Sequence, residues 1–143
     1  MREEFVTKTI RDFLKSKGWA IFSFDYPQSG TGYIIHPKDR THKNKKSVIP
    51  DIIAYKDSKC IIMENKPYFY SKDFTKLDDL SNNESYTDSL KRLINRLNCN
   101  KIFYGVGLPN TVDIFNKEDD IINLVDFIIT VDKSKNCEYF YIK

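Results

Sequence analysis

The run IPDIIAYKDSKCIIMENKP, residues 49 to 67, constrains this chain more than any other. Val48 to Tyr55 and Cys60 to Lys66 are both rich in isoleucine and other strand formers, and the polar Lys56-Asp57-Ser58-Lys59 between them predicts an antiparallel hairpin. A loop centred between Asp57 and Ser58 sets Tyr55 opposite Cys60, Ile53 opposite Ile62 and Asp51 opposite Glu64. Asp-Ser is a poorer two-residue loop than Asn-Gly or Asp-Gly, which tolerate the positive φ angles such turns need. Directly opposed side chains have Cβ atoms about 4.5–5.5 Å apart, and like charges there repel. Period-two alternation puts Lys66 on the face of Glu64, one diagonal step beyond the pair. One ammonium bridges two carboxylates less well than a divalent ion does, and Mg²⁺ prefers carboxylate and water oxygens. The hairpin therefore offers a metal site with a lysine beside it. The same residues also suit a solvated strand end, and a single-residue bulge would send Asp51 and Glu64 to opposite faces.

Around this hairpin the pattern is that of one α/β domain, residues 1–143, with a mixed sheet flanked by helices. From Arg2 to Lys17 the apolar Val6, Ile10, Phe13 and Leu14 recur at spacings of three and four, predicting a helix that Gly18 ends. Trp19 to Tyr26 reads as a strand. The stretch PYFYSKDFTKLDDLSNNES reads as polar and irregular, followed by a helix marked by Tyr86, Leu90, Leu93, Ile94 and Leu97. Lys101 to Val106 is a short strand closed by a break at Gly107-Leu108-Pro109. A short helix over Glu118 to Val125 and a hairpin of Phe127–Asp132 with Tyr139–Ile142 complete the chain.

Composition excludes several classes. With 41% hydrophobic and 14% aromatic residues, disorder is not expected. The longest apolar runs fall well short of the 18 or so residues of a membrane span, and the charged start MREEFVTK is not followed by the apolar core of a signal peptide, so a cytoplasmic protein with no membrane partner is expected. Cys60, Cys99 and Cys137 lack any Cys-x-x-Cys pairing, which predicts reduced, mostly buried thiols rather than zinc ligands or disulfides. The net charge of +3 is unevenly spread: between Pro27 and Ser47 the basic Lys38, Arg40, Lys43, Lys45 and Lys46 face one acid, Asp39. Such a run is compatible with a solvated loop, but this one leads directly into Asp51, where it would suit phosphates held beside a metal.

Pro50-Asp51, then twelve residues, then Glu64-Asn65-Lys66 resembles the bipartite signature of the PD-(D/E)XK nuclease superfamily, which includes many type II restriction endonucleases and the archaeal Holliday-junction resolvases. The resemblance covers roughly the first 105 residues, from the leading helix and KGWAIF to the helix and strand after the signature. Asn65 departs from it, since the residue between Glu and Lys is commonly apolar; a more exposed strand end would explain the difference. The resemblance implies a restriction-endonuclease-like fold and Mg²⁺-dependent hydrolysis of double-stranded DNA. Asp51 and Glu64 would bind the ion, and Lys66 would orient or help deprotonate the attacking water and stabilise charge on the scissile phosphate. A restriction-type enzyme or its catalytic subunit is the first reading. A structure-selective junction resolvase, sharing Ser29-Gly30 ahead of the signature, and a catalytically silent nucleic-acid-binding module of the same fold are the alternatives. So short a chain leaves little room for a recognition domain, and a homodimer or a partner subunit is expected.

These families often add an acid from the first helix. At 100° per residue Glu3 falls within the arc of Val6, Ile10 and Leu14, whereas Glu4 points away, so Glu3 is the candidate; acids in a first helical turn are also favoured by the helix dipole alone. Lys72, with Lys76, is a candidate backbone contact, alongside the basic loop. His36 and His42 have no partners at metal-ligand spacing. Tyr68, Phe69 and Tyr70 suit packing more than base stacking, and Lys91, Arg92 and Arg96 suit a solvated helix face.

Overall fold

The structure, a computed structural model, describes residues 1–26, 30–38 and 47–142. It is a mixed α/β arrangement, with helices on both faces of a six-stranded sheet of order β1-β2-β3-β4-β5-β6. The strands are β1 (Ala20–Phe24), β2 (Ile52–Lys56), β3 (Lys59–Asn65), β4 (Lys101–Pro109), β5 (Phe127–Val131) and β6 (Cys137–Tyr141). β1, β2 and β3 run antiparallel in succession, β4 and β5 run parallel to β3, and β6 returns antiparallel.

The first helix, α1 (Glu3–Ser16), buries Val6, Ile10 and Leu14 against Ile52, Ala54, Ile61, Met63 and Ile129 on one face of the sheet. Its end is set by Gly18 at φ +91°, which lets Trp19 N donate back to Leu14 O at 3.0 Å. On the opposite face α2 (Ser71–Asn82) and α3 (Thr87–Leu97) contribute Phe74, Leu77, Leu80, Leu90, Leu93 and Leu97 to a second core with Ile53, Ile62, Val106 and Ile128. α4 (Asp119–Ile122) is shorter than the sequence pattern suggests. No described helix is long and apolar enough to cross a membrane.

The hairpin register is the expected one: Tyr55 pairs with Cys60, Ile53 with Ile62 and Ile52 with Met63. Its two-residue loop takes positive φ at Asp57 (50°) and Ser58 (67°), so the turn geometry is that of the favoured hairpin loops despite the unfavoured serine. Pairing of β2 with β3 begins at Ile52 rather than Val48, because Val48 instead bridges Ile35 across the long loop. β1 carries an irregularity between Ile21 and Ser23.

Two expectations are overturned. The segment read as irregular forms α2 and a 3₁₀ turn, Glu84–Tyr86. Its apolar stripe is only Phe74, Leu77 and Leu80 amid Asp, Asn and Ser, which have weak helix propensity; full burial of those three side chains outweighs it. The break expected at Gly107-Leu108-Pro109 is instead the last part of β4. The glycines there serve close packing: a Cβ on Gly107 would strike Asn65 Oδ1 and Ile10 Cδ1, and one on Gly105 would strike the Phe127 ring. Gly105→Ala is expected to cost about 1–3 kcal/mol in urea unfolding. An unchanged midpoint and slope would show that the ring has room to move.

All three cysteines are free; Cys60 is buried, while Cys99 and Cys137 are only partly so.

Candidate functional site

Because β2 runs antiparallel to β3, the start of β2 and the end of β3 meet at one end of the sheet. There Asp51, Glu64, Lys66 and Glu3 come together with two residues of α2, Asp73 and Lys76. Asp51 precedes the first β2 residue, and its N–H donates to Met63 O at 3.0 Å, continuing the ladder by one step. The Asp51 carboxylate accepts the Asn65 N–H at 2.7 Å. Asp51 and Glu64 are 7% and 2% exposed, so two carboxylates share a space nearly closed to water.

The electrostatics follow from that confinement. Burial and the Glu64 charge push Asp51 well above the ordinary carboxylate range, against the opposing hydrogen bond from Asn65. Asp73, also buried, is pushed up to about 6 by desolvation, with Lys66 pulling the other way. Burial alone would lower Lys66, but Asp73 and Glu3 outweigh it and hold the ammonium above its usual value. Lys66 Nζ lies 3.1 Å from Glu3 Oε1 and 3.8 Å from Asp73 Oδ2. Lys76 Nζ lies 2.9 Å from Glu64 Oε1, close enough for an ion pair but not directed as a hydrogen bond. Glu64 Oε1 and Asp73 Oδ2 are thus buried oxygens without a hydrogen-bond donor.

Glu3 and Glu4 separate as the helical arc predicts: Glu3 meets Lys66, and Glu4 pairs with Lys8 at 2.7 Å, away from the cluster. Asn65 does not mark an exposed strand end. It is fully buried, and its side chain donates to Thr7 Oγ1 at 3.2 Å on the inner face of α1, which fastens the end of β3 to the helix carrying Glu3. Lys76, read as a candidate for the DNA backbone or a solvated loop, lies exposed on α2 and pairs with Glu64. Lys72 is exposed on the first turn of α2. Lys38 is exposed too, and its N–H donates to Ser85 O at 2.6 Å, which ties that part of the basic loop to the 3₁₀ turn after α2. Arg40, Lys43, Lys45 and Lys46, with His42, lie outside the described residues. His36 Nδ1 is 3.1 Å from Ser47 Oγ. Phe69 packs on Phe74 in the core, while Tyr68 is exposed.

Asp73 is the member of the cluster that sequence reasoning misses, because its segment reads as irregular. The signal was present: Phe74, Leu77 and Leu80 recur every third residue, and on a helix Asp73 and Lys76 then share one side.

The donor set is compatible with a hard divalent cation. Asp51 and Glu64 supply buried carboxylate oxygens of the kind that Mg²⁺ sites use, with the Lys76 ammonium 2.9 Å from one of them. Among the described residues no three His, Cys, Asp or Glu side chains form a group that could hold a metal ion. Such an ion would therefore complete its shell with water or substrate oxygens, as Mg²⁺ commonly does. No family model matches the chain, and no curated protein matches it in sequence.

Proposed function

We propose that this chain is a Mg²⁺-dependent DNA endonuclease of restriction-endonuclease-like fold, a restriction-type enzyme or its catalytic subunit. The observation that carries the reading is the burial of Asp51 and Glu64 together at facing strand ends, with Lys66 beside them. The succession of α1, antiparallel β1 to β3, a helical crossover and parallel β4 supports the fold assignment.

Asp51 and Glu64 are the residues that would hold Mg²⁺, which when bound supplies activated water and a counter-charge for the phosphodiester under attack. Lys66, held 3.1 Å from Glu3 and 3.8 Å from Asp73, presents its ammonium as a positive charge toward the phosphate oxygens and the attacking water. Glu3 orients Lys66 from the α1 side and Asp73 from the α2 side. Asn65 holds Asp51 by its backbone and α1 by its side chain, so one residue ties the site to the helix that carries Glu3. Sequence preference would come from the basic loop, the C-terminal part, a second copy or a partner subunit.

Plasmid DNA and a synthetic four-way junction incubated in parallel with Mg²⁺ test this reading. Discrete plasmid fragments are the expected result, and cutting of the junction alone would replace restriction by junction resolution. With a folded protein, no cutting of either substrate would refute the nuclease reading. Within the site, Glu3→Gln is expected to slow cleavage more than Glu4→Gln, because only Glu3 touches Lys66. Equal rates in the two variants would remove Glu3 from the site.

A further inference from the structure

We propose that the groove leading from Pro67 across the ends of β4 and β5 to Lys133, Lys135 and Arg2 carries the sugar-phosphate backbone of double-stranded DNA past the acidic site. This inference rests on the nuclease reading and adds the surface along which the duplex lies.

The topology brings the surface there. β4 and β5 run parallel to β3, so their C-terminal ends emerge beside Lys66, whose N–H donates to Gly107 O at 3.0 Å; Asn110 N in turn donates to Val131 O at 2.8 Å. One depression is lined by Pro67, Asn110, Thr111, Asp132, Lys133 and Ser134. It adjoins at Lys133 a second, which Arg2, Arg11 and Lys135 line along α1. Together they form one path from the neighbour of Lys66 to the outer face of α1.

The charges along this path are unequal in their availability. Lys8 is paired with Glu4 at 2.7 Å and Arg11 with Asp12 at 3.1 Å. Arg2, Lys133 and Lys135 are exposed and, among the described residues, have no ion pair. The acid nearest the two lysines in sequence, Asp132, is turned to internal use. Its Oδ1 accepts Ser134 N at 2.8 Å and Asn136 N at 2.9 Å, and its Oδ2 accepts Asn136 Nδ2 at 3.0 Å. Those bonds fix the β5–β6 turn, including Lys135 at φ +68°, and leave its two ammonium groups to an outside anion. Asn110, Thr111 and Ser134 add uncharged polar groups of the kind that bind phosphate oxygens. A polyanion approaching the carboxylates at the sheet end needs flanking cations, and the groove supplies them at its outer part, where Lys133 joins the two depressions and Arg2 and Lys135 line the second.

The test is the salt dependence of duplex DNA binding, measured in Ca²⁺ to keep binding apart from turnover, for wild type and two variants. Arg2→Gln/Lys133→Gln/Lys135→Gln is expected to bind more weakly and to have a log–log salt slope less negative by about 2.7, one step of about 0.9 per phosphate contact. Lys17→Gln/Lys59→Gln/Lys101→Gln removes the same charge from the opposite end of the sheet and is expected to keep the wild-type slope. The single Lys133→Glu variant, expected to weaken binding, covers the case of poor folding in the triple variant. Wild-type slopes in the groove variants, with wild-type DNA bound and cut, would overturn the groove while leaving the nuclease reading standing. Equal losses in the two triple variants would overturn it as well, since only net charge would then matter. A wild-type protein that neither binds nor cuts DNA would overturn both.

Discussion

Replacing Asp51, Glu64 or Lys66 by alanine is expected to lower Mg²⁺-dependent DNA cleavage by at least on the order of 10²–10³-fold, the scale seen when one charge-stabilising group is removed from a preorganised site. Loss of either carboxylate should bring cleavage to background, because the two together form the proposed ion site. The three variants should remain folded, since each residue sits at a strand end and not in either hydrophobic core. Their stabilities should nevertheless differ in chelator. Asp51→Ala leaves the buried Asn65 N–H without its acceptor, at a cost of about 1–3 kcal/mol. Asp51→Asn keeps an acceptor oxygen and, unlike the buried carboxyl, needs no proton taken up on folding, so it should melt above wild type near neutral pH. Full cleavage by folded Glu64→Ala would remove the basis for the mechanism.

The second large effect is on the pH dependence of stability. Asp51 ionises near 3.8 in the unfolded chain and well above that in the fold, where burial and Glu64 disfavour its charge. Between those values the folded state holds a proton that the unfolded state has released, so unfolding becomes easier as pH rises. In chelator, the melting temperature of wild type should therefore fall as pH increases from about 5 towards 9, and Asp51→Asn should flatten that fall. Asp73 adds to the slope in the same direction at lower pH, since its carboxyl is pushed up only to about 6. Mg²⁺ should reverse the trend, because it competes with the proton for the same oxygens and its binding tightens as they deprotonate. A melting temperature that rises with pH in chelator would mean that Asp51 and Glu64 are not confined together.

The sequence discloses the half of this site that strand periodicity controls. Alternation and one turn are enough to set Asp51 opposite Glu64, because the two-residue loop fixes the pairing of Tyr55 with Cys60 and of Ile53 with Ile62, and Asp51 and Glu64 follow two residues further along each strand. The arc of α1 likewise selects Glu3 over Glu4 without any knowledge of where the helix lands. Asp73 and Lys76 are invisible to the same reasoning because α2 is weakly helical by itself and is stabilised by burying Phe74, Leu77 and Leu80, a tertiary effect. The compensation for the paired carboxylates is hidden for the same reason. From the sequence Lys66 is the nearby cation; in the fold Lys66 is taken up by Glu3 and Asp73, and Lys76 meets Glu64. Asn65 misleads in isolation, since a polar residue at a strand end reads as exposed until Thr7 is brought against it.

The most direct test of the central claim is the fate of supercoiled plasmid DNA with the wild-type protein in Mg²⁺, in chelator, and with Glu64→Ala in Mg²⁺. Cleavage by the wild type in Mg²⁺ alone is the predicted result. Cleavage that survives chelation, or that Glu64→Ala performs as well as wild type, would contradict it.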